Sequence, residues 1–118
     1  MNGVALAASV AAAGGAGSAL RHLVDRAIPA RERFPWALLL INVTGSFALG
    51  LVLAATSGPT WHAVVGTGLL GGYTTFSSAS LDAAVRWVEG ERVAGLRSAL
   101  VMVLACVAAA AVGVTLGT

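Results

Sequence analysis

All twelve charged residues of this 118-residue chain fall into two short windows, and that distribution limits what the chain can fold into. Arg21, Asp25, Arg26, Arg31, Glu32 and Arg33 make the first window; Asp82, Arg86, Glu89, Glu91, Arg92 and Arg97 make the second. A soluble helical bundle needs a charged stripe along every helix, and the stretches between these windows have none. Charged residues are 10% of the whole, against roughly 25% in soluble domains. The chain is read as an all-α, multi-pass protein of the cell membrane, with lipid as its solvent and no surface suited to nucleic acid.

Length then sets the spans. A helix rising 1.5 Å per residue needs about 20 residues to cross a hydrocarbon core of roughly 30 Å. Four segments qualify, at about 4–20, 34–56, 61–87 and 98–116, and together they make one transmembrane domain over 1–118. Ser57-Gly58-Pro59 reads as a turn between the second and third. Trp36, Trp61 and Trp87 sit near span ends, where indoles anchor at the headgroups. The N-terminus has no basic region before its first apolar run, so no signal peptide is expected. Cys106 is the only cysteine, which excludes an internal disulfide. Four short helices rich in Ala, Gly, Ser and Val are too few to enclose a wide pore, and their small side chains suit close helix contact. An oligomer is expected.

Orientation follows from the arginines. The connections after the first and third spans lie on one side of the membrane and carry all seven; the termini and the connection at Gly58 carry none, and the chain has no lysine. The positive-inside rule places both arginine-bearing connections in the cytoplasm and both termini outside.

The third segment contains Gly71-Gly72-Tyr73-Thr74-Thr75-Phe76-Ser77-Ser78-Ala79-Ser80, which is polar and glycine-rich inside a membrane-length apolar run. An unpaired backbone group costs several kcal/mol in a bilayer. Two adjacent glycines loosen a helix and neighbouring threonines can bond the groups set free, so an interruption is expected at residues 71–75, near the middle of the third span. Freed carbonyls can coordinate a cation or line an ion path. The plainer alternative is a glycine kink for close packing. Asn42, near the middle of the second span, must find partners for its amide. It can present N–H groups to an anion or bond between helices.

Three blocks of residues resemble one family, in register along nearly the whole chain. They are Gly14-Gly15-Ala16-Gly17-Ser18-Ala19-Leu20-Arg21, then Ile41-Asn42-Val43-Thr44-Gly45-Ser46-Phe47 with Gly50, then residues 66–77 with their Gly-Gly-x-Thr-Thr-Phe-Ser pattern. The chain resembles the Fluc (CrcB) fluoride channels, small four-span proteins that work as antiparallel dimers. The resemblance implies passive efflux of fluoride from the cytoplasm, which lowers fluoride toxicity. It implies an anion pathway along Asn42, Phe76, Thr75, Ser77 and Ser80, with Arg21 drawing anions to a vestibule. The ring edge of Phe76 carries the positive part of its quadrupole and can support a small anion. It also implies a structural sodium ion at the dimer interface, held by the carbonyls of Gly71 and Thr74 from both subunits. Asp82 is expected to pair with Arg86 one turn later.

Two features depart from the family pattern. Ala79 stands where a second phenylalanine is usual, and the last span offers only Cys106 and Thr115 as weakly polar groups. With the one-sided arginines, these favour an antiparallel heterodimer with an oppositely oriented paralogue over a homodimer. Other readings fit less well. A small multidrug exporter needs a carboxylate in its first span, and residues 4–20 contain none. A structural subunit of a larger complex is a further alternative. No nucleophile–base arrangement suggests an enzyme: His22 and His62 lie at span ends and Cys106 is distant.

Overall fold

The computed structural model describes residues 2–28 and 34–118; Arg31, Glu32 and Arg33 of the first charged window lie outside them. Helix α1 (Gly3–Ala27) opens on Asn2, whose Oδ1 accepts the Ala5 N–H at 2.7 Å. This bond satisfies one of the donors that a helix start leaves free. Helix α2 (Trp36–Ala55) ends at Thr56, where the His62 Nε2–H donates to the Thr56 carbonyl at 2.9 Å. His62 therefore closes a helix end. At Gly58 the backbone takes φ +147°, a region that glycine tolerates, and Pro59 starts the next segment.

That third segment is composite. A turn, α3 (Pro59–Trp61), passes into a π-helical stretch (His62–Leu70) and then into a further turn, α4 (Gly71–Tyr73). Thr74 and Thr75 are extended, with φ/ψ of −78°/159° and −146°/114°. Helix α5 (Phe76–Val88) restarts with Thr75 as its N-cap, the Thr75 Oγ1 accepting the Ser78 N–H. After a turn at Gly90 (φ +89°), α6 (Arg92–Gly117) runs to the C-terminus.

The expected interruption exists, but its position needs correction. Gly71 and Gly72 are helical, and the break is confined to Thr74 and Thr75. The adjacent glycine serves packing instead. A Cβ on Gly72 would run into the Gly14 carbonyl, and one on Gly17 into the Leu69 carbonyl. On Gly68 it would stand 2.9 Å from the Val10 carbonyl. Missing side chains thus let α1 lie backbone to backbone against the π-helical stretch and α4, as small residues do between membrane helices. The α2–α6 pair uses the same device reciprocally: Gly50 faces the Ala110 carbonyl and Gly113 faces the Phe47 carbonyl.

Helices also outrun the apolar spans. α1 continues past Leu20 through Arg21, His22, Asp25 and Arg26, and α6 begins at Arg92, ahead of Ser98. Backbone hydrogen bonding does not stop at the hydrocarbon boundary, and arginine stems lie along the helix while their heads reach water. Three helices, α1, α2 and α6, are long and apolar enough to cross a membrane, and the composite segment makes the fourth. Among the described residues only Ile41, Tyr73 and Met102 are buried hydrophobics, while large apolar side chains such as Leu104, Val107 and Leu116 face outward. Such a surface suits lipid or a neighbouring subunit and not water.

Candidate functional site

The break is best understood by following its backbone groups one at a time, since each must have a partner inside a membrane. The Leu70 carbonyl accepts both the N–H and the hydroxyl of Thr74, each at 2.9 Å. The N–H of Thr75 would regularly return to Gly71, but it donates instead to Asn42 Oδ1 at 2.8 Å. Asn42 Nδ2 in turn donates to the Thr75 carbonyl at 3.0 Å. One side-chain amide on α2 thus captures both polar groups of one residue of the break. Asn42 and Thr75 are both buried, at 6% and 8% exposure, so these bonds do not compete with water.

The carbonyls of residues 71–74 lose their regular partners four residues on. Gly71 loses the Thr75 N–H to Asn42. Thr74 loses the Ser78 N–H, which turns to Thr75 Oγ1 at 3.2 Å. The Gly72 carbonyl accepts the Ser18 hydroxyl from α1 at 3.2 Å. A peptide unit is planar and trans, so its C=O and N–H point in opposite directions. With the Thr75 N–H fixed on Asn42, the Thr74 carbonyl is aimed away from it. Among the described residues there is no cluster of three or more His, Cys, Asp or Glu.

Two cavities meet at this point. One, of about 630 Å³, opens beside the charged ends of α1 and α5 and is lined by Ser18, Arg21, Asp25, Ser78, Asp82 and Arg86, among others. The second is a more apolar groove of about 330 Å³ along α2, the break and α6, with Asn42, Gly71, Thr74, Phe76, Ser80 and Met102 on its walls. Thr75 lines both. It is the residue that the polar vestibule and the groove have in common.

The residues expected from sequence are distributed accordingly. Asn42, Thr75, Phe76 and Ser80 share the groove with Gly71 and Thr74. Arg21 lines the vestibule, its buried Nε without a hydrogen-bond partner among the described residues. Ser77 is exposed and lines neither cavity, with its hydroxyl 3.4 Å from that of Thr75. Phe76 is 84% exposed, so within one subunit most of its ring is uncovered. Asp82 pairs with Arg86 as expected, the Arg86 Nε donating to Asp82 Oδ2 at 2.9 Å, and the Ser98 hydroxyl approaches the same oxygen at 3.5 Å. Several contributors carried no sequence signal of their own. Ser18 is one small residue among many in α1. Met102, whose sulfur lies 3.7 Å from Asn42 Nδ2, sits in the apolar run that follows Ser98 in α6.

A family profile described as "CrcB-like protein, Camphor Resistance (CrcB)" matches residues 8–114, a range that includes both cavities' polar residues and the whole break. The chain belongs to the CrcB family. Curated CrcB relatives are similar over most of their length. "Fluoride-specific ion channel FluC 1" of Leifsonia xyli subsp. xyli is 42% identical over 115 residues, covering 92% of this chain and 84% of that protein. "Fluoride-specific ion channel FluC" of Sphingopyxis alaskensis is 40% identical over 103 residues, covering 81% and 79%. The protein of the same name from Chelativorans sp. is 38% identical over 110 residues, covering 87% and 88%. With its apolar helices and its family, this CrcB chain is a multi-pass membrane protein.

Proposed function

We propose that this chain is a subunit of a fluoride-selective channel that lets fluoride leave the cytoplasm passively; it is not an enzyme. The observation that carries the reading is Thr75, which lines both the vestibule and the groove while Asn42 holds it in place. A small, strongly hydrated anion needs many donors placed in advance before it gives up water. Arg21 supplies charge at the vestibule. Hydroxyls of Thr75 and Ser80 can rotate to donate, with the Ser77 hydroxyl backing that of Thr75 at 3.4 Å, and the exposed ring of Phe76 offers its edge. Asn42 contributes through the N–H that rests on the Met102 sulfur, since sulfur is a weak acceptor that an anion readily replaces. The names of the curated relatives support fluoride as the ion. Expression in a fluoride-sensitive strain, alone and with candidate paralogues, is expected to restore growth on fluoride. A chain present in the membrane that never restores growth in any pairing would remove the reading.

The working unit is an antiparallel dimer closed over the groove. Gly71 and Thr74 line that groove, and their carbonyls, released from helical partners, suit a sodium ion at the interface; bound there, it would stiffen the junction and favour anions nearby. Ala79 leaves room in the groove where a partner's side chain can enter. We favour a paralogous partner over a second copy, because insertion in two orientations conflicts with arginines confined to one side. In this reading the arginine-bearing ends face the cytoplasm and the termini lie outside. Single-cysteine labelling decides between the partners. With Cys106→Ser as background, Glu89→Cys is expected to react only from the cytoplasm and Ser57→Cys only from outside. Equal labelling from both faces, together with efflux by the purified single chain, would establish the homodimer instead.

A further inference from the structure

Asn42 anchors the far side of the break; its near side ends on Tyr73, the last helical residue before it. Tyr73 is the buried aromatic of the described fold, at 9% exposure, and a buried phenol needs an acceptor. Its oxygen lies 2.9 Å from Thr44 Oγ1. The single proton of Thr44 is directed along its own helix, to the carbonyls of Leu40 at 2.7 Å and Ile41 at 3.2 Å. Tyr73 is therefore the donor and Thr44 the acceptor. The next residue of α2 completes the seat: a Cβ on Gly45 would stand 3.1 Å from Tyr73 Cδ2 and would run into the Thr74 methyl group.

We propose that Tyr73 is a positioning residue: by donating to Thr44 it ties α4 to the same helix that Asn42 uses to tie down Thr75. Of the released carbonyls, that of Gly71 belongs to α4 and that of Thr74 to the extended stretch. Each side alone is free to pivot about the extended residues. Referred to neighbouring residues of one rigid helix, at positions 42 and 44, the two oxygens keep a fixed separation. A tight separation matters to a cation site and little to general packing, because ligand distances must match the ion.

This inference rests on the proposed cation site, and its test separates the two. Tyr73→Phe keeps the ring and removes the bond, Thr44→Val removes the acceptor, and Thr44→Ser retains it. The assembled channel in liposomes is assayed for fluoride efflux against sodium concentration, and the amides of residues 71–76 for hydrogen exchange. Tyr73→Phe and Thr44→Val are each expected to raise the half-maximal sodium concentration by about fivefold, the scale of one net hydrogen bond, with flux at saturating sodium nearly unchanged. Exchange at the break should quicken by a similar factor. The double variant should be no worse than either single one, and Thr44→Ser should match the parent. A Tyr73→Phe protein with the parent's sodium dependence and exchange overturns the inference, as do additive effects of the two single changes. A parent flux indifferent to sodium sinks the cation site; in that case the exchange pattern alone upholds or overturns the anchoring.

Discussion

Replacing Asn42 with leucine is expected to abolish fluoride efflux, lowering it by roughly two orders of magnitude or more. Leucine keeps the heavy-atom count of asparagine and its branch at Cγ, so no cavity is opened. The change strands the Thr75 N–H and carbonyl, which Asn42 alone bonds across helices at 2.8 Å and 3.0 Å. Leaving a buried polar group unpaired costs about 1–3 kcal/mol, and two such groups, beyond the reach of most water, cost about 2–6 kcal/mol. The chain has a ready escape: Thr75 can return its N–H to the Gly71 carbonyl and rewind the helix. Rewinding displaces the residue that vestibule and groove have in common and takes a released carbonyl out of use. Efflux from liposomes measures the first consequence, and a shift of residues 74–75 toward helical exchange protection measures the second. An Asn42→Leu channel conducting within a few-fold of the parent would mean that the clamp is not what shapes the site.

The second large effect separates two adjacent glycines. Gly72→Ala directs its new methyl group into the Gly14 carbonyl, with the Gly14 carbon atoms 2.9 Å away. Backbone cannot turn aside as a side chain can, so α1 as a whole must retreat, and contacts along Gly68 and Gly17 retreat with it. Overpacking of this kind costs about 3 kcal/mol, which for a chain of this size is a fall in unfolding midpoint of roughly 10 °C. Gly71→Ala meets nothing nearer than the Gly66 carbonyl at 3.7 Å, an ordinary contact, and the subunit's midpoint should stay within about 2 °C. Thermal unfolding of the two purified variants makes the comparison. Equal loss in both would show that the glycine pair acts as a flexible joint and not as a contact.

That contrast also shows where sequence reading succeeded and where it stopped. The apolar helices and the Asp82–Arg86 pair are local properties, set by length, composition and helical spacing. The existence of a break was local too, in the sense that polar and glycine-rich residues interrupt an apolar run. Its exact residues were not. Glycine is the poorest helix former after proline, which drew attention to Gly71 and Gly72, yet those residues stay helical. Thr75 leaves the helix because Asn42, 33 positions earlier, outbids Gly71 for its N–H. No propensity scale holds that information. Ser18, Thr44, Tyr73 and Met102 were hidden for a related reason. In membrane helices the buried face is as apolar as the lipid face, so periodicity cannot tell which residues look inward.

The π-helical stretch bears on how this chain can change in length. Each hydrogen-bonded ring of a π-helix encloses one residue more than its α-helical counterpart, so positions 62–70 carry spare contour. A variant lacking one residue there can tighten into an α-helix and deliver Thr74 with its rotational phase unchanged. Helix α2 has no such reserve. One residue lost from it ahead of Asn42 turns the amide by about 100°, away from the threonine it must reach. Insertions and deletions are thus absorbed on one side of the Asn42–Thr75 clamp and forbidden on the other, and a family of such chains can vary in length where the winding is loose while remaining of fixed length where it is tight.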